Sequence, residues 1–129
     1  MKMQRVSSDL LESKGINVKF GYDNDFEKMK LGMEGRKNLF LIYKEAINNI
    51  SKHSGCDTAY ISLRFVNHHL YMRITDDGNG FVLTKSSLGN GLDSIKYRTS
   101  QLGGKVNMES ETGKGTTVEV QFDVTKIRD

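Results

Sequence analysis

Proline is absent from this chain and cysteine occurs once. Without proline, any linker lacks its usual mark. The single cysteine, Cys56, excludes an internal disulfide and a cysteine-based zinc site, and reads as a small side chain beside a turn. No apolar run approaches the ~20 residues that cross a bilayer, and the N-terminus shows no apolar signal segment. Charge of one sign is never concentrated: 19 basic residues are scattered among 16 acidic ones, for a net charge of +3. With no basic stripe and no aromatic platform beside one, neither nucleic acid nor a membrane surface is expected as a partner. The composition, 36% hydrophobic and 27% charged, is that of a soluble cytoplasmic-type domain, and 129 residues suffice for one core. The whole of 1–129 therefore reads as one domain.

What is present is periodic. Met3, Val6 and Leu10 at helical spacing, followed by Gly15, predict a helix over 2–14. Ile16, Val18 and Phe20 alternate as a half-buried strand, and residues 21–35 read as a loop. The main helix runs from about Arg36 to Ser54, with Leu39, Ile42, Tyr43, Ala46, Ile47 and Ile50 as its apolar face. At about 100° per residue, Asn38, Glu45, Asn49 and Lys52 fall in one wedge bordering that face. Thr58–Val66 and Leu70–Asp76 predict an antiparallel hairpin with a turn at Asn67, His68 and His69. The parity of Leu70, Met72 and Ile74 carries Asp76 onto the buried side, where a carboxylate needs a hydrogen-bonding partner. Leu92, Ile95, Thr99 and Leu102 mark a third helix stopped by Gly103 and Gly104. Val106 and Met108 begin a strand, and Val118, Val120, Phe122 and Val124 alternate as the last one. The element order predicts a two-layer α/β sandwich, a mixed sheet covered on one face by helices.

Four blocks carry the chemistry: EAINNISKHS from Glu45, DDGNGF from Asp76, GNGL from Gly89 and GKGTT from Gly113. Glu45 and Asn49 are one helical turn apart. The first can orient or deprotonate an attacking group, and the second offers a hard oxygen suited to Mg²⁺. An ordinary polar helix border would look the same. The Asp76–Gly80 block has the form of a strand-ending turn. Its inward-facing acid is what such a turn does not need, and a buried carboxylate can accept from an exocyclic amine such as that of adenine. Gly89, Asn90 and Gly91 precede a helix, whose N-terminus can cradle phosphate. GKGTT alone reads as a hairpin connection, from which Thr116 could offer a hydroxyl. No P-loop is present, and GNGLDS lacks the third glycine of a dinucleotide fingerprint. His53 sits at a helix end, and His68 and His69 sit in the hairpin turn; none occupies a long helix that would offer it to a kinase.

In order and spacing, the blocks resemble the GHKL ATPase superfamily of gyrase, Hsp90 and histidine kinases, from about Ile16 to Val124. EAINN matches its N box, DDGNGF its G1 box, GNGL its G2 box and GKGTT its final block. Within it the chain looks like the ATP-binding catalytic domain of a bacterial sensor histidine kinase. KHS after the N box and IKYRTSQLGGKVNMES after the G2 box are similar to the nitrate-sensor type. The resemblance implies the Bergerat α/β sandwich and ATP with Mg²⁺ as ligands. It further implies that Asn49 ligates Mg²⁺, Asp76 binds the adenine amine, and Gly78 and Gly80 let the backbone approach the base. Gly89, Gly91 and Leu92 would flank a lid over the phosphates, and Thr116 would support the adenine end. Glu45 is the candidate base and Lys52 a candidate phosphate contact.

The implied activity is transfer of the ATP γ-phosphoryl to a histidine on a separate dimerisation domain of the same parent protein, with a response regulator downstream. That histidine domain is expected to be missing from this chain, so the domain alone should not autophosphorylate. The parent protein could be membrane-anchored, with this domain in the cytoplasm. An anti-sigma-factor-type serine kinase and a non-catalytic nucleotide-binding regulatory module are the alternatives.

Overall fold

The computed structural model describes residues 2–23, 31–53, 58–78, 92–111 and 115–126. The helices α1 (Lys2–Glu12), α2 (Met33–His53) and α3 (Leu92–Gln101) alternate with five strands. These are β1 (Asn17–Tyr22), β2 (Thr58–Val66), β3 (His69–Asp76), β4 (Lys105–Glu111) and β5 (Gly115–Asp123). They form one sheet in the order β1-β2-β3-β5-β4, in which only β1 and β2 pair in parallel. The sandwich expected from the element order is the one observed. Among the described residues, no helix is long and apolar enough to cross a membrane.

Alternation places side chains in rows across the helix-covered face. Ile61, Ile74, Val118 and Met108 stand opposite one another on successive strands, as do Leu63, Met72, Val120 and Val106. The residues between them, including Tyr60, Arg73 and Glu119, face outward. From α2, Leu39, Ile42, Tyr43, Ala46 and Ile47 are buried against this face. Each large side chain removed from water in this way stabilises the fold by about 1.5–3 kcal/mol.

Two helices stop by the same device. After α1, Ile16 N–H donates to Leu11 O and Gly15 N–H to Glu12 O, both at 3.0 Å. After α3, Gly104 N–H donates to Thr99 O and Gly103 N–H to Ser100 O, both at 2.9 Å. This 6→1 and 5→2 pattern needs a left-handed residue, supplied by Gly15 (φ 78°) and Gly103 (φ 71°). Each turn sends the chain directly into an edge strand, β1 or β4.

Four boundaries differ from the expectation. Arg36 N–H donates to Gly32 O at 3.0 Å, so α2 begins at Met33 rather than near Arg36. The stretch read as a loop from residue 21 opens with Gly21 and Tyr22 still in β1, and its residues 24–30 lie outside the described residues. The hairpin turn holds only Asn67 (φ 52°) and His68 (φ 64°), and His69 pairs with Val66 inside the strand. Two adjacent positive φ values are those of a type I′ turn, whose twist matches the strands it joins. Finally, Val124 leaves the sheet for a short 3₁₀ turn, Val124–Lys126. Asp123 Oδ1 accepts from Thr125 N–H (3.0 Å) and from Thr125 Oγ1 (2.6 Å), which bends the chain away from the ladder.

Candidate nucleotide site

The apolar rows stop at one end of the sheet. There the row across the buried face reads Ala59, Asp76, Thr116 and Ser110, each opposite the next on neighbouring strands. Asp76 is 4% exposed and, with Thr99, makes up the buried polar side chains among the described residues. Thr99 is satisfied within its own helix by donating to Ile95 O at 2.6 Å. Asp76 is held by backbone: Gly78 N–H donates to its Oδ1 at 2.9 Å, and the Thr116 backbone also hydrogen-bonds it. Burial pushes the Asp76 carboxyl above the ordinary carboxylate range; the Gly78 and Thr116 hydrogen bonds pull it back, and neighbouring Asp77 raises it.

Gly115 makes this geometry possible. Its φ is 85°, and a Cβ there would run into the Asp76 carbonyl oxygen. The start of β5 can therefore close against the end of β3. On the outer side, Asp77 N–H donates to Thr58 O (3.3 Å) and Asp77 Oδ1 accepts from Thr58 N–H (3.0 Å). The two adjacent acids thus divide the work: Asp77 clasps the start of β2, and Asp76 points inward.

α2 ends at His53 and β2 starts at Thr58, one residue before Ala59, the first member of the polar row. α3 ends at Gln101, and Gly104, three residues on, lies against Phe122 at the other end of the sheet. Glu45 and Asn49 are both half-buried on α2, as the wedge at the margin of its apolar face required. Lys52 and Leu92 lie in helices, but their side chains fall outside the described ones. Gly80, Gly89, Gly91, the lid stretch 82–88 and Cys56 lie outside the described residues altogether.

Of the expected groups, the structure brings Asp76, Gly78 and Thr116 into one constellation. It adds Ser110, whose hydroxyl lies 2.8 Å from that of Thr116. Ser110 shares the parity of Val106 and Met108, and extending that alternation by one step would have found it. The Asp77 clasp carried no comparable signal, because it depends on strand pairing.

The sheet, its helical cover and a polar row ending in a buried acid define a nucleotide-binding α/β sandwich. Residues 34–126 match the family described as histidine kinase-, DNA gyrase B-, and HSP90-like ATPase, and the chain belongs to that ATP-binding family. The sensor histidine kinase LiaS of Bacillus subtilis strain 168 is 34% identical over 88 residues, 67% of this chain and 24% of LiaS. The sensor histidine kinase LnrJ of the same strain is 27% identical over 122 residues, 95% of this chain and 30% of LnrJ. The chain thus spans less than a third of either relative. The histidine kinase domain of the Erythrobacter litoralis EL346 blue-light activated histidine kinase has a similar fold. Its TM-score is 0.78 at 21% identity, over 96% of this chain and 60% of that one.

Proposed function

We propose that this chain is the ATP- and Mg²⁺-binding catalytic domain of a sensor histidine kinase. The observation that carries the reading is Asp76: a carboxylate buried where the apolar rows stop, held by Gly78 and Thr116. Two backbone N–H groups leave lone pairs of such a carboxylate free, and the adenine amine is the donor it would take. Asn49 would offer its amide oxygen to Mg²⁺. Among the described residues no group of three or more His, Cys, Asp or Glu could hold a metal. The residues fit an ion that takes most of its ligands from phosphate oxygens and water, as Mg²⁺ does.

Lys52 would contact phosphate. Gly80 would give the base room, and the Gly89–Leu92 segment would face the phosphates. The bond from the γ-phosphorus to the leaving oxygen of ADP breaks as one forms to an imidazole nitrogen. Glu45 would orient that imidazole and accept its proton. The acceptor histidine would come from a dimerisation domain of the longer parent protein, cytoplasmic like this one, and a response regulator would receive the phosphoryl group. The nitrate-sensor subtype rests on the sequence resemblance alone.

Titration calorimetry with Mg²⁺-ATP tests the binding half; no heat at millimolar nucleotide would remove the reading. For the chemistry, Glu45→Gln should bind ATP like the parent chain yet transfer phosphate poorly to a separately supplied histidine domain. Full transfer by that variant would reduce Glu45 to a structural helix residue.

A further inference from the structure

Ser110 Oγ lies 2.8 Å from Thr116 Oγ1 and 3.4 Å from the Gly115 carbonyl oxygen. Each hydroxyl has one proton to donate and two lone pairs, whereas the carbonyl can only accept. These contacts allow two proton arrangements, which differ in what Thr116 shows the site. In the first, Ser110 donates to Gly115 O and accepts from Thr116, so Thr116 shows the site only lone pairs. In the second, Ser110 donates to Thr116 Oγ1, and the Thr116 proton turns away from Ser110. The contact between the hydroxyls is the shorter of the two, and it is the one both arrangements keep.

Adenine decides between them. Its exocyclic amine, the donor assigned above to Asp76, adjoins ring nitrogen N1, which has a lone pair and no proton. The neighbour of Asp76 along the row is Thr116. A base that gives its amine to Asp76 therefore presents an acceptor toward Thr116, and the group facing it has to donate. We infer that Ser110 is a positioning residue for base recognition: by donating to Thr116 Oγ1, it directs the Thr116 proton toward N1 of adenine, directly or through one water. The inference rests on the adenine reading of the Asp76 site and extends it to a residue outside all four glycine and asparagine blocks. It makes the row from Asp76 through Thr116 to Ser110 a matched acceptor and donor pair for one edge of the base, with Ser110 fixing the polarity of the donor.

A Ser–Thr pair across two strands also adds modestly to sheet stability, so the test needs a readout that stability does not move. Dissociation constants for ATP and for 1-deaza-ATP, in which N1 is replaced by C–H, provide one. The parent chain should prefer ATP. Ser110→Ala should weaken ATP by about threefold to tenfold, the scale of one net hydrogen bond, and leave 1-deaza-ATP unchanged. Ser110→Thr keeps the hydroxyl on a residue suited to strands and should restore the preference. Equal weakening of both nucleotides, or of neither, overturns the role of Ser110. If the parent bound both nucleotides alike while Asp76→Asn still weakened ATP, the Ser110 proposal would fail and the Asp76 assignment would stand. If Asp76→Asn changed nothing either, the base site itself would be misplaced.

Discussion

At one end of the buried sheet face, Leu70 stands opposite Phe122; at the other, Asp76 stands opposite Thr116. Both pairs belong to the same antiparallel ladder and the same parity. The apolar end is closed. Phe122 is 1% exposed, and Gly104 leaves so little space beside it that a Cβ would strike the ring. At the polar end a glycine is again the point of closest approach, but Gly115 admits backbone rather than a ring. A buried position on this ladder gains by excluding water at one end. At the other it gives up that gain to keep an acid whose proton affinity burial has raised. Stability and, on the proposed reading, binding are thus drawn from the same strands at different ends.

The sharpest way to separate the two ends is to empty the apolar one. Phe122→Ala should cost about 3–5 kcal/mol of unfolding free energy, read from urea denaturation. The nucleotide affinity of the folded fraction should not change. A parallel loss of affinity would mean that the two ends are coupled.

The complementary change is smaller and opposite in kind. Asp76→Asn should weaken ATP binding by about 1–3 kcal/mol, the cost of mispairing a buried polar group. It should not weaken the fold. Because its carboxyl pKa is raised, folded Asp76 holds its proton at pH values where the unfolded chain has lost it. Stability therefore falls as pH rises through the interval between the ordinary and the raised pKa, and the charged form costs stability above it. Thermal melts of the Asn variant should show this slope flattened and a neutral-pH midpoint no lower than that of the parent. A lower midpoint would show that the carboxylate is needed structurally.

The outer face provides the smallest effect. Arg73 Nε lies 3.3 Å from Glu119 Oε1, but the side chains are 61% and 49% exposed. Arg73→Ala should cost about 0.2–1 kcal/mol, less at high salt, and leave nucleotide affinity untouched. An effect on affinity would tie the open face to the site.

Much of this was legible from alternation. The parity that placed Leu70, Met72 and Ile74 inward also placed Asp76 inward, because a side-chain period of two leaves no choice once one face is buried. The wedge of Glu45 and Asn49 followed likewise from helical spacing, and both side chains are half-buried. What failed was local. Gly32 and Gly35 read as loop, but Leu31 is buried at the base of the helix and Gly35 is itself buried, so packing extends α2 over a weak sequence. Val124 kept the strand rhythm while the side chain of Asp123 was already turning the chain. Ser110 was passed over although the alternation of Val106 and Met108, carried one step further, places it in the same row. The pairing of Asp76 with Thr116, on strands distant in sequence, leaves no periodic trace.

That distance has a consequence for how the site comes into being. Asp76 ends the hairpin of β2 and β3, and Thr116 and Ser110 belong to that of β4 and β5. The hairpin of β2 and β3 and that of β4 and β5 close over short loops, whereas the ladder between β3 and β5 must bridge everything between them, α3 included. Contacts of such long sequence separation form late in folding, since the entropy of closure comes before the contacts that offset it. On the proposed reading, one hairpin would supply the acceptor for the base and the other the donor, and neither alone would offer adenine both. For a nascent chain, recognition of the nucleotide in this way would begin only when the two hairpins have met.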